Sequence, residues 1–153
     1  SVNKSKSKPA PHKAILLLTI IEMIEAGEIS SPYIQITAAL KNNFKRVWNA
    51  NVPNCLGYEP RISYPFFHLS TSSFWELVKT SSYQGQSEYS TVASLERDYS
   101  GAIIDVGLFR LMKDSIARDE IRTLLKGTYL DNHCSPSSII GVVTLIALIC
   151  SVA

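Results

Sequence analysis

The chain has 153 residues, room for one domain with a real core and too few for two comfortable ones. Its three cysteines, Cys55, Cys134 and Cys150, form an odd, widely spaced set without a CxxC pair. That pattern argues against a disulfide framework or a zinc site and for reduced thiols in the cytoplasm.

The formal net charge of +2 names no partner, but its distribution is uneven. Up to Arg61, eight Lys/Arg stand against four Asp/Glu; beyond it, seven stand against nine. A basic first half beside a slightly acidic second half suggests one face meant for an anion, with an ordinary solvated surface as the alternative.

Residues 1–10 are rich in Ser and Lys and are predicted as a flexible basic arm, either merely solvated or adding phosphate contacts. No secretory signal pattern is expected there, because no apolar stretch follows in register for cleavage. Pro11 fits the first position of a helix. The apolar run at residues 14–21, closed by Gly27, predicts a helix buried on most sides, the centre of the core.

Ser31-Pro32 is the expected start of a second helix, with Ile36, Leu40, Phe44 and Trp48 on one apolar stripe and Lys41 and Lys45 as a basic flank. Residues 49–63 read as a long surface loop. The aromatic stretches YPFFHL (64–69) and FWELV (74–78) predict a β-hairpin around Ser70-Thr71-Ser72-Ser73, with Pro65 at a strand start or edge. Alternation would place Tyr64, Phe66 and His68 on one face and Pro65, Phe67 and Leu69 on the other.

Residues 80–90 are polar and loop-like, and residues 101–104 suggest a further strand. Asp105 is placed to cap a short helix through Met112. Asp114 is placed to cap a longer one with Ile116, Ile121, Leu124 and Leu125 inward. Residues 135–153 form an apolar tail, too short for the roughly 20 residues that span a bilayer and without the flanking Lys/Arg of an anchor. A buried C-terminal element, or a remnant of a longer protein, is preferred for it over a membrane role. The expected architecture is α+β, mainly helical with a small antiparallel β-sheet or hairpin, and residues 11–134 form the domain.

Metal-assisted hydrolysis needs clustered His with Asn or Asp to hold the ion and activate water. The only histidines are His12, His68 and His133, and none lies in a His-Asn-His or His-His arrangement. His133 and Cys134 are adjacent but too few to make a metal site. No GxSxG, Walker A or GxGxxG pattern occurs either. No catalytic residue, metal or cofactor is therefore expected within this chain.

Anion binding has a stronger physical basis. His12 and Lys13 fall in the first turn of the buried helix, where free N–H groups and the positive dipole end favour a phosphate-like group. His12 could donate through either ring nitrogen, and an anion beside it would favour its charged form. A solvated Lys13 and a merely capping His12 are the alternative. Tyr64, Pro65 and His68 could line an exposed apolar notch, while Lys41, Lys45 and Arg61 could supply general phosphate contacts.

Together these stretches resemble a family. The pattern is Pro11-His12-Lys13 opening a long Leu/Ile helix that ends in Glu-Ala-Gly-Glu-Ile, then YPFFHL, a Phe74-Trp75 pair, and a late Arg-Asp-Glu-Ile-Arg helix beginning at Arg118. It looks like the DNA-recognition domain that precedes the nuclease domain in HNH-type bacterial restriction endonucleases. That group includes the sulfur-binding domains of phosphorothioate-dependent type IV enzymes. The resemblance covers residues 9–132. It implies that the sulfur of a backbone phosphorothioate sits between His12 and Lys13 on one side and an apolar wall of Tyr64, Pro65 and His68 on the other. Sulfur is larger, softer and less hydrated than oxygen. An ordinary phosphate oxygen would be desolvated there at a cost of roughly 1–3 kcal/mol.

The chain departs from the family at two positions. Lys13 stands where some sulfur binders have Arg, and His68 where a small apolar residue would make a better wall. The resemblance implies a partner, double-stranded phosphorothioated DNA, and a catalytic HNH domain in cis or in trans. The alternatives are recognition of another DNA modification or of plain DNA and, from a different class, a protein-interaction or membrane-associated module using the tail.

Overall fold

The computed structural model describes residues 10–127. The basic arm and the apolar tail, with His133, Cys134 and Cys150, lie outside the described residues. The described part is α+β: six α-helices and a three-stranded antiparallel sheet.

Helix α1 (His12–Glu25) runs through the centre, as its all-round apolar sequence requires. Every residue from Ala14 to Ile21 is buried on it. Its end is a Schellman motif. Gly27 N–H donates to the Ile24 carbonyl (3.1 Å) and Glu28 N–H to that of Met23 (2.8 Å), with Gly27 at φ +77°.

Strand β1 (Tyr33–Gln35) follows, then α2 (Ala38–Asn51), which opens on Thr37, whose hydroxyl accepts the Leu40 N–H at 3.1 Å. The second helix therefore begins later than Ser31-Pro32 suggests. Those residues lead into an edge strand, and the Pro32 carbonyl accepts from Ile104 N–H at 2.9 Å. Leu40, Phe44 and Trp48 keep the expected buried stripe, and Ile36 precedes the helix.

The expected aromatic hairpin does not form. Residues 63–68 are helix α3 (Ser63–His68), continued by a 3₁₀ turn, Leu69–Thr71. A six-residue apolar run satisfies both periods, and here the helical one buries Phe66 and Leu69 completely. Pro65 falls within the first turn, where its missing N–H breaks no helical bond. The Ser/Thr stretch that looked like a hairpin turn instead winds back. Ser70 Oγ donates to the Phe67 carbonyl (2.6 Å) and Thr71 Oγ1 to that of His68 (2.9 Å).

Strand β2 (Trp75–Lys79) pairs not with residues 64–69 but with β3 (Tyr99–Ile104). The sheet order is β1-β3-β2, with Tyr33 opposite Ile103 and Trp75 opposite Ile104. Trp75 Nε1–H donates to the Phe66 carbonyl (2.8 Å), which ties α3 to the sheet.

Helix α4 (Val92–Asp98), capped by Thr91, was not apparent from the sequence. Helices α5 (Val106–Lys113) and α6 (Ser115–Lys126) are capped by Asp105 and Asp114 as expected. Ile121 and Leu125 are buried, but Ile116 is 72% exposed. Ile116 is only the second residue of α6, before the helix reaches the core.

Candidate functional site

Helix α1 starts without a side-chain cap. Its N-cap, Pro11, offers no side-chain acceptor, so no side chain caps the first-turn N–H groups. His12 is the first helical residue and is only 9% exposed. Its ring lies 4.5 Å from Trp48 of α2 and 5.3 Å from Tyr64 of α3, with Tyr58 edge-on at 6.0 Å. Nε2–H donates to the Glu59 carbonyl at 2.8 Å, because a carbonyl can only accept. The buried Nδ1 has no partner.

Burial pushes the His12 pKa down, against the raising effect of the Glu59 carbonyl and with the help of the Arg61 charge. The expectation that either ring nitrogen could donate is narrowed: Nε2 is committed to Glu59, which leaves Nδ1. A negative charge beside the ring would favour its protonated form, against the lowering by burial.

Lys13 points along the neighbouring side of α1. It is half-buried, burial lowers its pKa, and it makes no ion pair among the described residues. A partly desolvated ammonium without a counter-ion is a costly arrangement that an external anion would relieve. Its charge reaches His68, whose pKa is lowered first by burial and then by Lys13, against the pull of Glu88.

The helical form of residues 63–68 puts Tyr64 and His68 one turn apart, with ring centroids 4.4 Å apart. A continuous ladder of rings thus runs Trp48, His12, Tyr64, His68, with Lys13 within electrostatic reach of its far end. Tyr64 is 42% exposed and forms the ladder's open surface.

Four of the five residues singled out for the pocket therefore come together: His12, Lys13, Tyr64 and His68. Pro65 does not share their surface; it belongs to the buried side of α3. Beside the ladder opens a cleft of about 390 Å³, whose lining includes His12, Tyr58, Glu59, Arg61 and Tyr64. Arg61 stands at it, half-exposed, with only a loose ion pair to Glu59 at 3.7 Å.

The two lysines of α2 differ. Lys41 is engaged with Glu96 of α4 at 3.2 Å, whereas Lys45 is exposed and makes no ion pair among the described residues. Sequence reasoning missed Trp48 and Tyr58 as neighbours of His12. Trp48 carries the periodicity of a core residue, and Tyr58 lies in a stretch with no pattern to place it.

Cations flank an apolar, ring-lined surface, which suits a large, weakly hydrated anion. Among the described residues no group of three His, Cys, Asp or Glu side chains could hold a metal ion. Nor is any described helix long and apolar enough to cross a membrane. No family model and no curated protein matches the chain.

Proposed function

We propose that this domain binds duplex DNA carrying a phosphorothioate in its backbone, as the targeting module of a modification-dependent restriction system. The observation that carries this reading is the ring ladder from His12 through Tyr64 to His68, with the half-buried Lys13, which makes no ion pair among the described residues, beside it. Each part meets one property of the ligand. Lys13 and the first turn of α1 answer the negative charge. The Tyr64 face gives the sulfur an apolar contact where a well-hydrated oxygen would lose water without replacement. The exposed Arg61 and Lys45 would supply contacts to flanking phosphates. Cutting would be done by an HNH nuclease domain in cis or in trans.

The test uses the full chain and two duplexes of one sequence, one with a single phosphorothioate. The phosphorothioate duplex should bind at least about tenfold tighter, corresponding to the desolvation difference of roughly 1–3 kcal/mol. Tyr64→Ala should remove most of that preference, while Lys45→Ala should weaken both duplexes alike and flatten the salt dependence by about one unit. Equal binding of both duplexes by the wild type would refute the sulfur reading and leave plain DNA or another modification as the ligand.

A further inference from the structure

Residues 80–90, between β2 and α4, have no regular secondary structure, and eight of these eleven residues are Ser, Gln or Tyr. A polar loop of this length is ordinarily costly to order. Here it is organised around one carboxylate. Asp98, completely buried at the end of α4, accepts the backbone N–H groups of Gln84 (3.0 Å) and Gly85 (3.1 Å) and the Tyr89 hydroxyl (2.6 Å). The Arg97 guanidinium closes the set with Nε at 2.9 Å and Nη2 at 3.1 Å. Gly85 supplies the left-handed turn the wrap requires, at φ +84°. Tyr83 is held from outside, its ring 5.5 Å from Tyr99 with the Lys79 ammonium 4.3 Å above it.

The oxygens of Asp98 are taken up by these partners, so the buried acid acts as the loop's internal clamp. Among the exposed residues of the clamped loop is Gln84, whose backbone the clamp holds and whose carboxamide makes no hydrogen bond among the described residues. The loop also adjoins the anion site. Tyr89 packs on Phe67 at 4.8 Å, Phe67 on His68 at 5.1 Å, and the Glu88 charge is felt at His68.

We propose that this loop reads base identity beside the modified phosphate, with the Gln84 carboxamide as the reading group and adenine as its preferred base. The inference rests on the DNA-binding reading above. Residues 80–90 contain no Lys or Arg and one acid, Glu88, so the loop adds nothing to sequence-independent attraction to phosphates. An uncharged carboxamide carried on a preorganised loop that adjoins the anion site is instead suited to a base edge. Carboxamides pair bidentately with N6 and N7 of adenine in the major groove. Fixing the loop in advance removes the ordering entropy that would otherwise weaken discrimination.

The experiment compares full-length wild type and Gln84→Ala on duplexes with one phosphorothioate whose flanking base pairs are varied in turn, and on the same set without sulfur. The wild type should favour adenine at one flanking position by about tenfold or more. Gln84→Ala should lose that preference while keeping its preference for sulfur, and an unchanged melting temperature would confirm that the clamp is intact. A wild type indifferent to flanking bases, or a Gln84→Ala protein that keeps the adenine preference, overturns the loop's role. Adenine preference without sulfur preference would instead overturn the phosphorothioate reading and leave the loop's role standing. Absence of any duplex binding overturns both.

Discussion

Replacing Lys13 by methionine removes one charge while keeping an unbranched apolar stem along α1. Lys13 is half-buried and makes no ion pair among the described residues, so the folded protein loses no partner. Its melting temperature should stay the same or rise slightly. The bound state should lose a charge-assisted contact worth about 1.5–3 kcal/mol, which weakens binding of the phosphorothioate duplex roughly 10- to 150-fold. The slope of log affinity against log salt should fall by about 0.9.

The free protein offers a second readout that needs no DNA. The Lys13 charge helps to hold the His68 pKa down, so Lys13→Met should raise it. Fluorescence anisotropy across a salt series measures the first effect, and an NMR titration of the His68 ring the second. An unchanged salt slope in a folded variant would refute the assignment of Lys13 to the anion. An unmoved His68 titration would refute the placement of Lys13 beside α3.

The depressed His12 and His68 pKa values set two pH trends of opposite sense. Both folded values lie below the ordinary histidine value of about 6.5, so the unfolded chain binds protons first. Their contribution to stability should be present above that pH and be lost as pH falls through the folded values, as measured by chemical denaturation. A bound anion raises the pKa of His12, so DNA binding takes up a proton and should tighten as pH falls from 8 toward the free His12 value. Affinity flat across that window would show that His12 does not feel the anion. In the sheet, a Cβ on Gly101 would lie 2.4 Å from the Ile34 carbonyl oxygen, so Gly101→Ala must push β1 off β3. The expected loss is about 1–3 kcal/mol, with a melting point lower by several degrees. A variant as stable as the wild type would contradict the β1–β3 register.

The sequence by itself determined the elements whose signals are local. The all-apolar run of α1 could only be a central helix. Gly27 marked its end, and Asp105 and Asp114 announced α5 and α6, because a cap is a bond between residues close together in sequence. His12 and Lys13 were legible as an anion-favouring pair for the same reason: a helix N-terminus is a property of the helix itself.

Tertiary packing decided the rest. The run at residues 64–69 fits a strand or a helix equally well. It became α3 because that form sinks Phe66 and Leu69 into the core and brings the Phe66 carbonyl to the Trp75 indole. That choice is also what sets Tyr64 on His68 and takes Pro65 out of the surface. The company His12 keeps, Trp48, Glu59 and Tyr64, comes from parts of the chain far apart in sequence. No periodicity reports such contacts. The choice between the two ring nitrogens was decided in the same way: the Glu59 carbonyl that occupies Nε2 lies 47 residues away. The same holds for the loop at residues 80–90. It read as a polar loop from its composition, which it is, and only the fold shows the buried Asp98 that gives it one shape.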